Sequence, residues 1–204
     1  MSEFDQRARD WDNDPSKWAR AEAVADGIRA AVPLRPAMTA LEYGCGTGLL
    51  SFALHRDLGR ITLADSSPGM LQVLAEKIRV AGIDTMTPIR LDLATDPLPA
   101  DRFGLVCTMM TMHHVADVAA ILRQFHALLE DGGYLCIADL DREDGSFHGP
   151  GFDGHHGFER TELTAMTEAA GFQPPLFATV FTMDKATDGV TRQYPVFLMT
   201  AQKG

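Results

Sequence analysis

Leu41-Glu42-Tyr43-Gly44-Cys45-Gly46-Thr47-Gly48 sets three glycines at alternate positions, between an apolar run and a helical pattern. Alternate glycines permit tight backbone geometry and let a ligand lie against the main chain. N–H groups at the start of the following helix would face that ligand. The spacing is G-x-G-x-G. The dinucleotide fingerprint G-x-G-x-x-G would need glycine where Leu49 stands. A pyrophosphate takes the open helix N-terminus. A ligand without phosphate does not, and Glu42 beside the turn suits a cationic amino group. Asp65, 21 residues after Gly44 at the end of the next apolar run, can accept from both hydroxyls of a ribose.

The histidines form a second group. His113-His114 follows the fourth apolar run, and imidazole titrates near neutral pH, so a base role is open. His148, His155 and His156, with Asp153, lie in the Gly- and acid-rich stretch Asp141–Gly157, which reads as a long functional or mobile loop. Adjacent histidines converge on one metal less readily than an i, i+4 pair on a helix, so substrate contact or solvent is expected there and no metal is assigned. Cys45, Cys107 and Cys136 have no metal-type spacing and read as reduced, small core residues of a cytoplasmic protein.

The elements that must hold these groups alternate, strand then helix, as in an α/β protein with a parallel sheet. Asp14-Pro15 caps a first helix carrying Trp18, Ala21, Val24, Ala25 and Ile28, which Pro33 and Pro36 stop. Strands are expected over 38–43, 60–64, 87–91, 104–108 and 133–138. Helices are expected over 49–58, from Ser67-Pro68 to Gly82, from Val118 to a terminal Gly132, and over 161–170. Two β-type runs, 177–183 and 196–201, close the chain around Asp184–Gln193, where Asp188-Gly189 is a hairpin signal. The organisation expected is an N-terminal helical lid (1–35) that includes Trp11, a ligand-binding core (38–139), a substrate-side loop (140–160) and a closing helix and hairpin (161–204).

The 204 residues suit one compact unit, and the net charge of −10 with singly scattered lysines argues against a nucleic-acid partner. No apolar run reaches membrane-spanning length, and the acidic N-terminus is unlike a targeting peptide. Oligomeric state is not readable from these features.

Leu41–Ser51, Ile61–Leu71, Ile89–Leu93, Phe103–Val115 and Leu128–Ala138, with the Glu-Ala-Ala-Gly-Phe ending of Phe158–Phe172, resemble in order and spacing the class I S-adenosylmethionine-dependent methyltransferases. The likeness is greatest to the small bacterial type-11/12 methyltransferase-domain group, whose acceptors are mostly small molecules. It implies a Rossmann-like three-layer sandwich: a seven-stranded, mostly parallel sheet with an antiparallel last strand and helices on both faces. It also implies that Gly44, Cys45, Gly46 and Gly48 cradle the methionine part of S-adenosylmethionine and that Glu42 meets its amino group. Asp65 would take the ribose, Ser66 and Met70 border the adenine, and Asp92 and Leu93 read its edge. Thr108 would floor the methyl position, with His113 and Trp11 packed beside the cofactor. One departure is Gly104, where such chains usually carry Asp after Phe.

Methyl transfer from a sulfonium needs mainly positioning of the nucleophile, and a base only if a proton must leave early. His114 is the candidate for that base. Met109, Met110, Met112 and Val115 suggest a partly apolar acceptor pocket. The competing readings are a non-catalytic adenosyl-cofactor-binding regulator and an NAD-dependent oxidoreductase.

Overall fold

The structure is a computed structural model that describes residues 3–187 and 190–204. Seven strands form one sheet: β1 (Ala40–Tyr43), β2 (Ile61–Asp65), β3 (Met86–Arg90), β4 (Phe103–Met109), β5 (Leu129–Leu140), β6 (Leu176–Thr187) and β7 (Val190–Gln202). Their order is β3-β2-β1-β4-β5-β7-β6. All neighbours pair in parallel except β7, which runs antiparallel to both β5 and β6. The central strands are buried on both sides, which is why they read as continuous apolar runs.

Helices α2 (Pro15–Ala31), α3 (Leu49–Leu54) and α4 (Pro68–Ala81) cover one face, with Val24, Ile28, Leu50 and Leu74 packed on Ala40, Leu105 and Cys107. Helices α5 (Val118–Leu128) and α6 (Arg160–Ala169) cover the other, with Ile121, Phe125 and Leu163 against Leu41, Val106 and Leu135. A short N-terminal helix α1 (Glu3–Arg7) and a 3-10 turn (Ala8–Asn13) cross the carboxyl end of the sheet. Among the described residues no helix is long and apolar enough to cross a membrane.

The caps follow sequence chemistry. The Asp14 side chain accepts from Ser16 N–H before Pro15, and Ser67 accepts from Met70 N–H before Pro68. Gly82 ends α4 in the left-handed region (φ +65°).

Four expectations need correction. The helix expected over 49–58 stops at Leu54. Gly132 does not end α5: Leu129 is already extended and opens β5, and the positive φ of Gly132 (+75°) falls inside that strand. The strands expected over 177–183 and 196–201 run on through the segment between them, because β6 and β7 pair out to Thr187 and Val190; Asp188-Gly189 lies outside the described residues. Trp18 is exposed, and Arg20 takes the buried place on that helix instead.

Strand order reverses between β1 and β4. The chain lays down β1, β2 and β3 outward, then crosses back to put β4 on the other side of β1. Connections leave that junction in opposite directions, which opens a crevice at the strands' carboxyl ends. Gly104 is explained nearby: a Cβ there would lie 2.8 Å from Met38 Cγ. Gly104→Asp therefore costs at least about 2 kcal/mol through overpacking and carboxylate burial. A denaturation cycle with Met38→Ala returns a favourable coupling of about 1 kcal/mol or more; strict additivity would show that Met38 is not what excludes the side chain.

Candidate functional site

The crevice is a cleft of about 1510 Å³, walled by the glycine turn, the ends of β1, β2 and β4, the loop after β5, β6 and the N-terminal segment. Gly44, Gly46 and Gly48 all have positive φ (+66°, +54° and +82°), yet they are glycine for different reasons. A Cβ on Gly44 would meet Thr111 Cγ2 at 2.2 Å, and on Gly48 it would meet Leu74 Cδ1 at 2.6 Å. Those two permit packing. Gly46 would meet nothing nearer than Trp11 Nε1 at 3.9 Å and Met70 Sδ at 4.0 Å. Of the three, it is the glycine whose missing side chain leaves room in the cleft itself.

Two acids hold this turn, Glu42 buried and Asp65 half-buried. Asp65 accepts from Gly46 N–H (2.7 Å) through one oxygen and from Ser67 N–H (2.8 Å) through the other. Glu42, 2% exposed, accepts from Ser51 N–H (3.1 Å) and from the Ser51 hydroxyl. Burial pushes Glu42 up to about 7, against the lowering effect of Ser51, and burial also raises Asp65.

The cleft wall includes Trp11, Glu42, Gly44, Cys45, Gly46, Asp65, Ser66, Met70, Asp92, His113 and His114. Asp92 also caps its own turn, accepting from Ala94 N–H (3.0 Å). Three expected residues stand off the wall. Gly48 is the N-cap of α3. Leu93 is buried, and its N–H donates to the Tyr43 hydroxyl (3.3 Å), which faces the adjoining wall, so that N–H is already engaged. Thr108 is buried because β4 runs through Met109, which moves the cleft floor on to Met109 and Met110. Met112 likewise points into the core, while Val115 reaches the cleft.

The N-terminal segment is latched over the glycine-turn side of the cleft. Asp5 accepts from the Ser67 hydroxyl (2.6 Å) and Gly69 N–H (2.9 Å). Asp12 accepts from the Thr47 hydroxyl (2.5 Å) and pairs with Lys77 (2.6 Å), which also donates to the Thr47 carbonyl (2.8 Å). Lys17 Nζ lies 3.5 Å over the Trp11 ring.

The histidines meet the same segment, the Phe4 ring standing edge-on to His114 with centroids 5.3 Å apart. His113 Nδ1 meets Asp139 Oδ1 at 2.7 Å, and His113 N–H donates to the other oxygen at 3.2 Å. Asp139 is wholly buried. Leu140 N–H also donates to Asp139 Oδ1 (2.8 Å), so the carboxylate is the common acceptor here and the ring meets it through Nδ1, which turns Nε2 away from Asp139. His148 comes in from the loop after β5 and stacks on Phe152, centroids 3.8 Å apart. Burial, then the neighbouring His113, pushes both His114 and His148 down to about 4. A group that weakly basic is poorly matched to general-base work near neutral pH. His155 is elsewhere, its Nε2 on the Val115 carbonyl (2.9 Å), and His156 faces Glu143 at 3.4 Å.

Sequence reasoning missed Arg20 and Asp139. Arg20 is 9% exposed and lines the cleft; its terminal nitrogen contacts Met183 Sδ at 2.8 Å, while Nε has no hydrogen-bond partner among the described residues. The signal was present: positions 20, 24 and 28 share one face of α2. Asp139 ends the fifth strand, where switch-point reasoning seeks ligand groups.

A family model for the methyltransferase domain matches residues 17–174. The chain belongs to that methyltransferase-domain family. It is 36% identical over 136 residues to a biotin biosynthesis bifunctional protein of Bordetella avium, covering 62% of this chain and 27% of that protein. It is 35% identical over 120 residues to the ubiquinone biosynthesis O-methyltransferase of Xylella fastidiosa (57% and 47%) and 32% identical over 155 residues to that of Xanthomonas axonopodis (72% and 64%). The matched stretches thus span less than two thirds of these relatives' own lengths. The phosphoethanolamine N-methyltransferase 2 of Haemonchus contortus, solved with S-adenosyl-L-methionine, superposes with TM-score 0.73 at 14% identity, over 91% of this chain and 52% of that one. The magnesium protoporphyrin IX methyltransferase of Synechocystis, solved with S-adenosylhomocysteine, gives 0.65 at 16% identity, over 92% and 84%. At these identities the likeness is one of fold, and it matches the Rossmann-like sheet expected from the sequence.

Two stability outcomes follow for this methyltransferase domain. Gly44→Ala costs roughly 2–5 kcal/mol, left-handed strain plus the Thr111 collision, whereas Gly46→Ala costs only the strain, about 1–2 kcal/mol. Equal losses in urea melts would contradict the separate roles. Arg20→Met, which removes a buried charge with no carboxylate partner, raises the stability of the ligand-free protein by about 1–3 kcal/mol. A fall would mean that Arg20 is internally compensated.

Proposed function

We propose that this methyltransferase domain binds S-adenosylmethionine across the glycine turn and transfers its methyl group to a small-molecule acceptor at the histidine end of the cleft, as a cytoplasmic enzyme. The observation that carries this reading is Gly46, whose absent Cβ leaves a cradle between Trp11 and Met70 in a cleft that Glu42 and Asp65 also line. The cleft also exceeds the usual several hundred to about 1,000 Å³ of a single-ligand pocket, which suits a cofactor together with an acceptor. Glu42 would hold the cofactor's ammonium group, Asp65 the ribose, and Asp92 the adenine edge, with Ser66 and Met70 beside the ring. Arg20 would receive a ligand carboxylate, which completes its unpaired guanidinium.

When bound, the sulfonium supplies an activated methyl group with a neutral leaving group. The protein's own work is then alignment and exclusion of water. Met109, Met110 and Val115 give the acceptor an apolar wall, and the latched N-terminal segment covers the donor side. His114, as a weak base, orients rather than deprotonates.

Calorimetric titration with S-adenosylmethionine and with NADH tests the reading; NADH binding without sulfonium binding would overturn it. Transfer of labelled methyl to a metabolite set tests catalysis. The pH dependence is specific. An ammonium ligand prefers ionised Glu42, and that fraction grows as pH rises through about 7. An α-amino group stays mostly protonated below about 7.7. Cofactor affinity should therefore increase roughly tenfold from pH 5.5 to 7.5, and Glu42→Gln should be weaker and flat.

A further inference from the structure

We propose that His113, His114 and His148 form a site for a divalent first-row transition ion of the zinc and cobalt class, at the acceptor end of the cleft. Each residue offers one ring nitrogen, and the three nitrogens lie within 4.8 Å of one another. Around an ion with bonds near 2.1 Å, imidazole nitrogens sit about 3.4 Å apart, so closure needs shifts on the order of 1 Å. His114 sits in a one-turn 3-10 segment (Met112–His114) and His148 in the loop after β5, so neither is fixed by sheet pairing.

Two independent features point to an ion. His113 is held by Asp139 through Nδ1, the carboxylate–histidine arrangement that sets the tautomer and aims Nε2 outward in metal sites. His148 Nδ1 is buried and has no hydrogen-bond partner among the described residues. A polar atom left that way costs about 1–3 kcal/mol, and ligation, directly or through a metal-bound water, removes the cost. Three imidazoles select zinc-like ions over magnesium or calcium, which take oxygen.

Three protein ligands leave one position open to the cleft. Resting on the methyl-transfer reading above, a hydroxyl or thiol of the acceptor would occupy it, lose its proton to water in the cleft more readily beside the ion, and so become the better nucleophile for the methyl group, with S-adenosylhomocysteine as the leaving group.

Titration of the full, tag-free chain with Co²⁺, followed by visible ligand-field absorption, tests the site. One equivalent should bind with the spectrum of nitrogen-ligated cobalt. His148→Ala should lose at least about 100-fold in affinity, Asp139→Asn about 10- to 100-fold, and His156→Ala nothing. Because His148 lies on a loop, an unchanged melting curve separates lost ligation from lost fold. No band, or equal affinity in His148→Ala, overturns the site. S-adenosylmethionine titration of the same sample keeps the two proposals apart. Cobalt bound without sulfonium binding upholds the metal site and sinks the methyl-transfer reading; the reverse sinks only the metal.

Discussion

The hydrogen bond from Gly46 N–H to Asp65 ties the end of β2 to the turn after β1. Neither partner could make it alone. The amide is free to point at β2 because Gly46 takes a left-handed φ, and the carboxylate reaches it because β1 and β2 pair in register up to Tyr43 opposite Ala64, which sets Asp65 just beyond the end of β1. Glu42, near the end of β1, performs the same office for the first turn of α3 through Ser51. The cradle is therefore preorganised by groups that would also meet a ligand. Its cost is two carboxylates held above their ordinary pKa by burial, which a cationic ligand group relieves. Donor binding and turn rigidity thus draw on the same atoms.

The histidine side of the cleft is built on a different principle. Met110 is, among the described residues, the one non-glycine with positive φ (+55°), a conformation that costs about 1–2 kcal/mol. Its N–H still bonds the Ala138 carbonyl (2.8 Å), so the chain stays on the sheet while it turns. The turn sets Thr111 against Gly44, where its hydroxyl donates to the Gly44 carbonyl (3.2 Å), and carries His113 to Asp139. One strained residue thus links the glycine turn to the histidine cluster. The same closeness of Thr111 is what forbids a side chain at position 44.

How much of this was legible depended on range. Caps, stripes and strand runs are local, so Asp14-Pro15, Ser67-Pro68 and the stripe from Val118 to Leu128 could be read directly, and the chain order of strands then led to the right sheet. The misreadings came from tertiary choice. Gly132 looked like a helix stop because the sequence cannot show that Leu129 is claimed by pairing with Phe103. Leu93 looked like a ring partner because nothing local reveals the Tyr43 hydroxyl, fifty residues away, that takes its N–H. The glycines were visible as a set, but only packing against Thr111, Leu74 and open space separates them. Asp5, Asp12 and Lys77 left no periodic trace, since their partners lie more than thirty residues off.

His148 marks the limit of such reading most clearly. In sequence it is one of three histidines in a loop without periodicity, and the adjacent pair His155-His156 draws more attention. In space that pair divides, one member to the Val115 carbonyl and the other to Glu143, while His148 turns inward to His113 and His114. The glycine-turn side of the cleft is made by short turns between paired strands, which sequence specifies well. The histidine side is made by a loop returning to a strained turn, and there only tertiary packing decides which side chains turn inward. Arg20 Nε on α2 and His148 Nδ1 on that loop are buried without hydrogen-bond partners among the described residues, and neither state leaves a trace in the local sequence.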